Sequence, residues 1–173
     1  MSRDRAYWFA QRNAPEGEQD KAGGRKRELL ELFHDWHDPI PAVIEATDEA
    51  HLLRNDIYQT KPLRHWSRGR VTLLGDAAHA MTPNLGQGAC QAIEDAVILG
   101  DCLRAEPDVI VALQLYERRR IKRTRWVTWQ SELMAPAVQM ENPVIARVRN
   151  VLVKSLPVDL FVQGLMWIIN YSP

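Results

Sequence analysis

Cysteine is scarce in this chain, and a surplus of charge of either sign is missing. The two cysteines, Cys90 and Cys102, form no Cys-x-x-Cys pair and no metal-ligand spacing, which excludes a disulfide framework and a thiolate zinc site. They fall on different faces of one predicted helix and cannot bridge each other. Reduced thiols and a cytoplasmic setting are therefore expected. Lysine plus arginine equals aspartate plus glutamate at 22 each, so no global field favours nucleic acid or an acidic membrane. Long apolar runs are absent too: the most apolar stretch, 158–170, is interrupted by Asp159, Gln163 and Gly164, short of a membrane span. The opening Met-Ser-Arg-Asp-Arg has no apolar core behind its charges, so no signal peptide is expected. Internal repeats and low-complexity tracts are missing as well. What is present is an ordinary soluble composition, 46% hydrophobic and 25% charged over 173 residues, enough for one core.

Local patterns give a coarse map. Residues 6–10 (Ala-Tyr-Trp-Phe-Ala) are aromatic-rich and predict a strand, and the polar run 15–24 predicts an exposed loop. Between 25 and 37, Leu29, Leu30, Leu32, Phe33 and Trp36 fall at helical spacing. Pro39 and Pro41 end that helix, and 42–46 can form a short second one. Residues 52–58 predict an extended segment, 66–69 a turn, and the aliphatic run 71–74 a strand covered on both faces. From 86 to 103 the predicted helix carries an apolar stripe of Ala89, Ala92, Ile93, Ala96, Val97 and Leu103, with Gln91, Glu94, Asp95 and Asp101 off it. A long helix is expected over 109–133, stopped by Pro136, then two more over 144–155 and 158–170 divided by Pro157.

One stretch carries chemistry. The 71–74 strand runs into Gly75-Asp76, then Pro83, then Gly86-Gln87-Gly88-Ala89 at the start of a helix. A carboxylate at the carboxyl edge of a strand sits where ligands of α/β proteins bind, and Asp76 can accept charge-assisted hydrogen bonds from the hydroxyls of a polyol or ribose-like chain. Pro83 stiffens the loop. Gly86 and Gly88 remove side chains just where helix amides lack intrahelical acceptors, a field worth roughly 0.3–2 kcal/mol for an anion. An electron-rich carbonyl or delocalised anion suits it; the lysine of a phosphate-binding P-loop is missing. The plain alternative is a tight strand-turn-helix whose glycines serve packing alone.

At these residues the sequence resembles the single-component FAD-dependent monooxygenases, the aromatic hydroxylase and epoxidase family. Gly75-Asp-Ala-Ala-His79, Pro83-Asn-Leu-Gly-Gln-Gly88 and Glu94-Asp95 are similar to that family's second FAD-binding motif. The segments 53–58 and 66–70 resemble the lead-in of its salicylate hydroxylase and zeaxanthin epoxidase branches. The resemblance implies that Asp76 binds the ribityl chain of FAD and that the backbone around Gly88 and Ala89 faces the flavin pyrimidine carbonyl. It places Pro83 beside the isoalloxazine and substrate, and makes Gly75, Gly86 and Gln87 part of the same cofactor-binding set. It implies NAD(P)H and O2 as co-substrates and a small aromatic or cyclic molecule as the one oxidised, with no catalytic side chain required because the cofactor carries the chemistry.

Complete members also carry a Gly-x-Gly-x-x-Gly strand for the ADP half of FAD. It is absent here, and Gly23-Gly24 lies in a polar loop. The resemblance therefore implies an α+β fragment of a two-domain fold, Rossmann-like FAD domain plus substrate sheet, with a mostly helical C-terminal half. Residues 1–66 would end the substrate domain, 67–105 supply the closing strand and helix of the FAD domain, and 106–173 form a helical region. The missing N-terminal FAD-binding half becomes a candidate partner. The competing reading is a non-catalytic binding or assembly module that keeps only the strand, loop and helix.

Other features are read plainly. His34-Asp-Trp-His-Asp38 has metal-like spacing, but solvent-facing helix-end residues around a buried Trp36 are the preferred reading. His79 is expected to orient its loop rather than act as a base. For the basic run 118–125, pairing with acidic neighbours or solvation is expected rather than nucleic-acid binding. The apolar tail, 160–162 and 165–169, is expected to pack on preceding helices rather than lie on a membrane, since it has no basic face of its own.

Overall fold

The computed structural model describes residues 6–170. The opening Met-Ser-Arg-Asp-Arg segment lies outside them. The chain divides between Ile57 and Tyr58 into two compact units.

The first unit holds two short helices, α1 (Arg25–Phe33) and α2 (Ile40–Ala46), and a 3-10 turn at Glu49–His51. The Glu49 carboxylate accepts the Arg25 backbone N–H at 2.7 Å and so caps the start of α1. Gly24 precedes it at φ +89, where an added Cβ would collide with that same carboxylate. Glu28 is buried, and Arg54 and Arg12 both reach it. The Arg54 guanidinium, more than the desolvation that opposes it, holds Glu28 below the usual carboxylate range. Residues 6–10 form no strand. Aromatic β-propensity reflects packing on a neighbouring strand, and none pairs with them among the described residues. Trp36 is 54% exposed rather than buried, set edge-on to Phe33 at 4.9 Å.

The second unit begins with the hairpin β1 (Ser67–Arg68) and β2 (Val71–Thr72), antiparallel with Ser67 opposite Thr72. Gly69 turns it at φ +58. A one-turn helix α3 (Asp76–His79) and a 3-10 turn (Pro83–Leu85) lead into α4 (Gly88–Ala105) and the long α5 (Val109–Val138). Helices α6 (Pro143–Ser155) and α7 (Val158–Ile169) follow. Asp108 and Asn142 cap α5 and α6, each accepting two backbone N–H groups of the first turn.

Trp66, Ala78, Ile98, Cys102, Ala112 and Tyr116 make the core between the hairpin, α3, α4 and α5. The hairpin is pinned to α5 by polar bonds. Glu117 accepts the Trp66 and Ser67 amides at 2.8 Å each, and Tyr116 donates to the Leu73 carbonyl at 3.2 Å. Burial pushes the Tyr116 hydroxyl far above its ordinary titration range.

Three further sequence expectations change in this unit. The 71–74 run is a strand only at Val71–Thr72, and Val71 is 68% exposed, so the described residues do not cover that position on both faces. Pro136 does not stop α5: it lies in the last turn, where its missing N–H removes one closing bond and leaves the preceding helix intact. The buried face of α4 is Gln91, Asp95, Ile98 and Cys102, while Ile93, Val97 and Leu103 are exposed. The predicted stripe thus faces outward, because a buried ion network holds the inner face. In the tail, Ile168 is buried and its carbonyl accepts from Arg123 at 3.0 Å. The side chains of Val158, Leu160, Phe161, Leu165, Trp167 and Ile169 lie outside the described set. No described helix is long and apolar enough to cross a membrane.

Candidate functional site

The chain leaves β2, passes Leu73 and Leu74, and turns at Gly75, which is buried with φ +60 and ψ −138. A Cβ there would lie 3.2 Å from the Ala92 Cβ. Both facts demand glycine: the conformation is one L side chains rarely adopt, and the space is already taken. Replacing Gly75 with alanine is expected to lower stability by about 1–3 kcal/mol, read as a lower urea midpoint with unchanged slope. A midpoint equal to wild type would remove the strained-turn argument.

Asp76 follows at the solvent-exposed start of α3. Its carboxylate makes no hydrogen bond or ion pair among the described residues. Pro83 is exposed at the head of the 3-10 turn, and Gly86 closes that turn at φ +63 with open space around it. The loop is anchored to α5 by side chains. Ser131 donates to the Thr82 carbonyl at 2.7 Å, and the Asn84 amide donates to the Ser131 carbonyl at 3.0 Å.

Gln87 is the N-cap of α4 and supplies no side-chain cap. The first intrahelical bond it accepts comes from Gln91, so the Gly88, Ala89 and Cys90 amides have no intrahelical acceptor. Gln87 and Gly88 are half-buried and Ala89 is exposed, so the described residues leave the helix start partly open. The site therefore offers a free carboxylate and a bare helix N-terminus, each reachable from solvent. A group with hydroxyls at one end and an electron-rich carbonyl system at the other fits these donors and acceptors, as the ribityl and isoalloxazine parts of a flavin do.

Beneath the loop lies a network that sequence reasoning did not assemble. Asp95 is fully buried and its carboxylate accepts three bonds: the Gly75 amide at 3.0 Å, His79 Nε2 at 2.6 Å and Arg120 Nε at 2.6 Å. Arg120, equally buried, also bonds Glu94 and the Gln91 side-chain oxygen, and Arg123 forks onto Glu94 at 2.7 Å. Desolvation raises the Asp95 carboxyl, but the bonds from His79, Arg120 and Gly75 outweigh it and hold Asp95 below its usual range. An ionised carboxylate only accepts, so His79 Nε2 carries the hydrogen. His79 Nδ1, buried and without a hydrogen-bond partner among the described residues, belongs to a side chain lining a small cavity with Thr60, Trp66, Thr124 and Thr128. Thus His79 serves its loop. In the basic run, Arg120 and Arg123 pair with acidic neighbours, as expected. Which arginine turns inward had no sequence signal, since 118–125 holds five of them.

The remaining candidate does not assemble. His34 contacts Glu31 and Asp35, His37 bonds its neighbour's carbonyl, and no group of three possible metal ligands gathers among the described residues.

Known proteins are similar to this chain. The aurachin C monooxygenase/isomerase of Stigmatella aurantiaca is 44% identical over 153 residues, 88% of this chain and 40% of that protein. Chloroplastic zeaxanthin epoxidase of Oryza sativa subsp. japonica is 44% identical over 126 residues, 67% of this chain and 19% of that protein. Among solved structures, Klebsiella pneumoniae HpxO complexed with FAD and uric acid superimposes with a TM-score of 0.79 at 30% identity, covering 87% of this chain and 39% of its own. The tetrameric form of 2-methyl-3-hydroxypyridine-5-carboxylic acid oxygenase gives a TM-score of 0.53 at 34% identity, covering 68% of this chain and 31% of its own. The chain thus spans well under half the length of each. A family described as FAD binding domain matches residues 1–128, a span that contains the hairpin, the Gly75–Asp76 turn, the glycine loop and all of α4; the chain belongs to that family.

Proposed function

We propose that this chain is the C-terminal part of an FAD-dependent monooxygenase acting on a small aromatic or cyclic substrate. The observation that carries the reading is the pair of open contacts: the exposed Asp76 carboxylate, without a partner among the described residues, and the start of α4 at Gly88, which has no side-chain cap among them. Asp76 would accept hydroxyls of the ribityl chain. The Gly88 and Ala89 amides would set partial positive charge where reduced flavin accumulates negative charge. Gly75 keeps the backbone close, Gly86 and Gln87 shape the approach, and Pro83 stiffens the edge facing the substrate. Bound FAD would supply the redox chemistry, accepting hydride from NAD(P)H and activating O2. The relatives named above support the class of reaction, and the complex of HpxO with FAD and uric acid supports a small cyclic substrate.

The domain assignment follows the same reading: residues 1–66 to the substrate domain, 67–105 to the FAD domain, 106–173 to the helical region. In it, the outward Ile93 and Val97 face of α4 and the open Val71 belong against the N-terminal half that carries the Gly-x-Gly-x-x-Gly strand. The purified chain alone is expected to bind FAD poorly and to oxidise no NAD(P)H, because the ADP half finds no holder. A flavin titration giving sub-micromolar affinity would refute that.

Co-expression with a polypeptide bearing the Gly-x-Gly-x-x-Gly strand tests the function itself. A yellow complex whose NADPH oxidation rises with an aromatic substrate is the expected result. A colourless complex would instead favour the non-catalytic module.

A further inference from the structure

Two contacts can grip one ligand only if their spacing is fixed, and here they sit on different elements: Asp76 at the head of α3, the bare amides at the head of α4. One side chain joins the two. Asp95 projects from the second turn of α4 and accepts the Gly75 amide immediately before Asp76 and the His79 ring at the other end of α3. Its own position is set from a third element, because Arg120 of α5 bonds it through Nε while its terminal nitrogens hold the adjacent Glu94 and, one turn earlier, Gln91. All four of Asp95, His79, Arg120 and Gln91 are buried.

We infer that Asp95 and Arg120 are positioning residues for the flavin-contact loop, fixing the Asp76 turn against the amide end of α4. This rests on the flavin reading above. Neither residue need touch the ligand: both are 0% exposed, whereas Asp76 and Ala89 lie open. The chemistry explains the choice of residues. A carboxylate has enough lone pairs to serve three donors at once, and a guanidinium is the side chain that can hold it while bonding two further acceptors in a plane. Asparagine at 95 would offer one oxygen to three donors and turn an N–H2 group toward another of them. Lysine at 120 would keep the charge and lose the fork.

The test uses the full 173-residue chain and FMN, which carries the ribityl and isoalloxazine parts without the adenylate, followed by amide NMR. In wild type, FMN at high concentration is expected to shift Asp76, Gly88 and Ala89, and the Gly75 amide to exchange slowly. In Asp95→Asn, exchange at amides 75–79 should rise about tenfold more than it does in α5, and the FMN shifts should need about tenfold more ligand. Arg120→Lys serves as the milder variant if Asp95→Asn fails to fold, with the same direction and a several-fold effect. A purely general loss of stability would raise exchange equally in α5 and at 75–79, which separates positioning from simple structural support. Unchanged exchange at 75–79 and unchanged FMN response in the folded variants would overturn the inference. If FMN leaves wild type unshifted, the flavin reading fails instead. The exchange at 75–79 still decides whether Asp95 and Arg120 hold the turn.

Discussion

Replacing Asp76 with alanine is expected to strip flavin from the reconstituted enzyme while leaving the apo chain as stable as before. The two halves of that outcome come from one fact: the carboxylate is exposed and unpartnered among the described residues, so its removal breaks nothing in the fold. Its contribution appears only with ligand. A hydrogen bond to a charged acceptor is worth on the order of 1.5–3 kcal/mol, so losing one or two such bonds weakens retention by about tenfold to several hundredfold or more. The ratio of flavin to protein absorbance after gel filtration reads the effect, and a thermal melt of the apo chain is the control. Unchanged flavin content would remove Asp76 from the site. A lowered apo melting point would mean that the carboxylate has a structural partner.

Arg120→Met should do the opposite, damaging the fold whether or not flavin is present. Methionine approximates the volume of the stem but leaves Asp95 buried with its cation gone, and breaking a buried pair in this way costs about 3–5 kcal/mol. For a domain of this size that is a large share of the total stability. The pH dependence carries a sign. Desolvation opposes ionisation of Asp95, yet bonding to His79, Arg120 and Gly75 holds it below its usual range, and Glu94 is likewise lowered, against its own desolvation, through Arg123 and Arg120. A carboxyl whose pKa is depressed on folding contributes stability above its unfolded value, roughly pH 4, and that stability is lost as pH falls toward the folded value. Wild type should therefore lose stability progressively below about pH 4–5. In Arg120→Met the acid limb should be shallower, because the depression of both carboxyls shrinks while the unfolded values that set its onset stay the same. Urea midpoints across a pH series measure it; a variant within about 1 kcal/mol of wild type at pH 7, the cost of an ordinary exposed pair, would show that Asp95 is sustained by His79 and Gly75 alone.

The contrast between these two aspartates shows what a sequence reveals. Asp76, with its neighbours Gly75, Pro83, Gly86 and Gly88, was legible because local chemistry fixes it: glycines and a proline punctuate the chain whatever surrounds it. The helix order was legible for the same reason, with Pro157 dividing the last two helices. Asp95 was misplaced onto the outer face because an apolar stripe is taken to point inward, which assumes that the inner partner is apolar. Here that partner is Arg120, and five arginines within 118–125 hid which one it is. The aromatic run at 6–10 failed as a strand because a strand is defined by a neighbour, and sequence names no neighbour. Pro136 lies in the last turn of α5, where its missing N–H removes one bond near the end and the turns before it persist.

The inverted burial of α4 has a mechanical consequence. An oily seam lets a helix slide or roll by a fraction of a turn at little expense, since one methyl replaces another. Salt-linked bonds from Gln91, Glu94 and Asp95 are directional, so α4 cannot rotate about its axis without losing several together. Whatever eventually covers Ile93 and Val97, the helix meets it already indexed, like a key cut before the lock is closed around it.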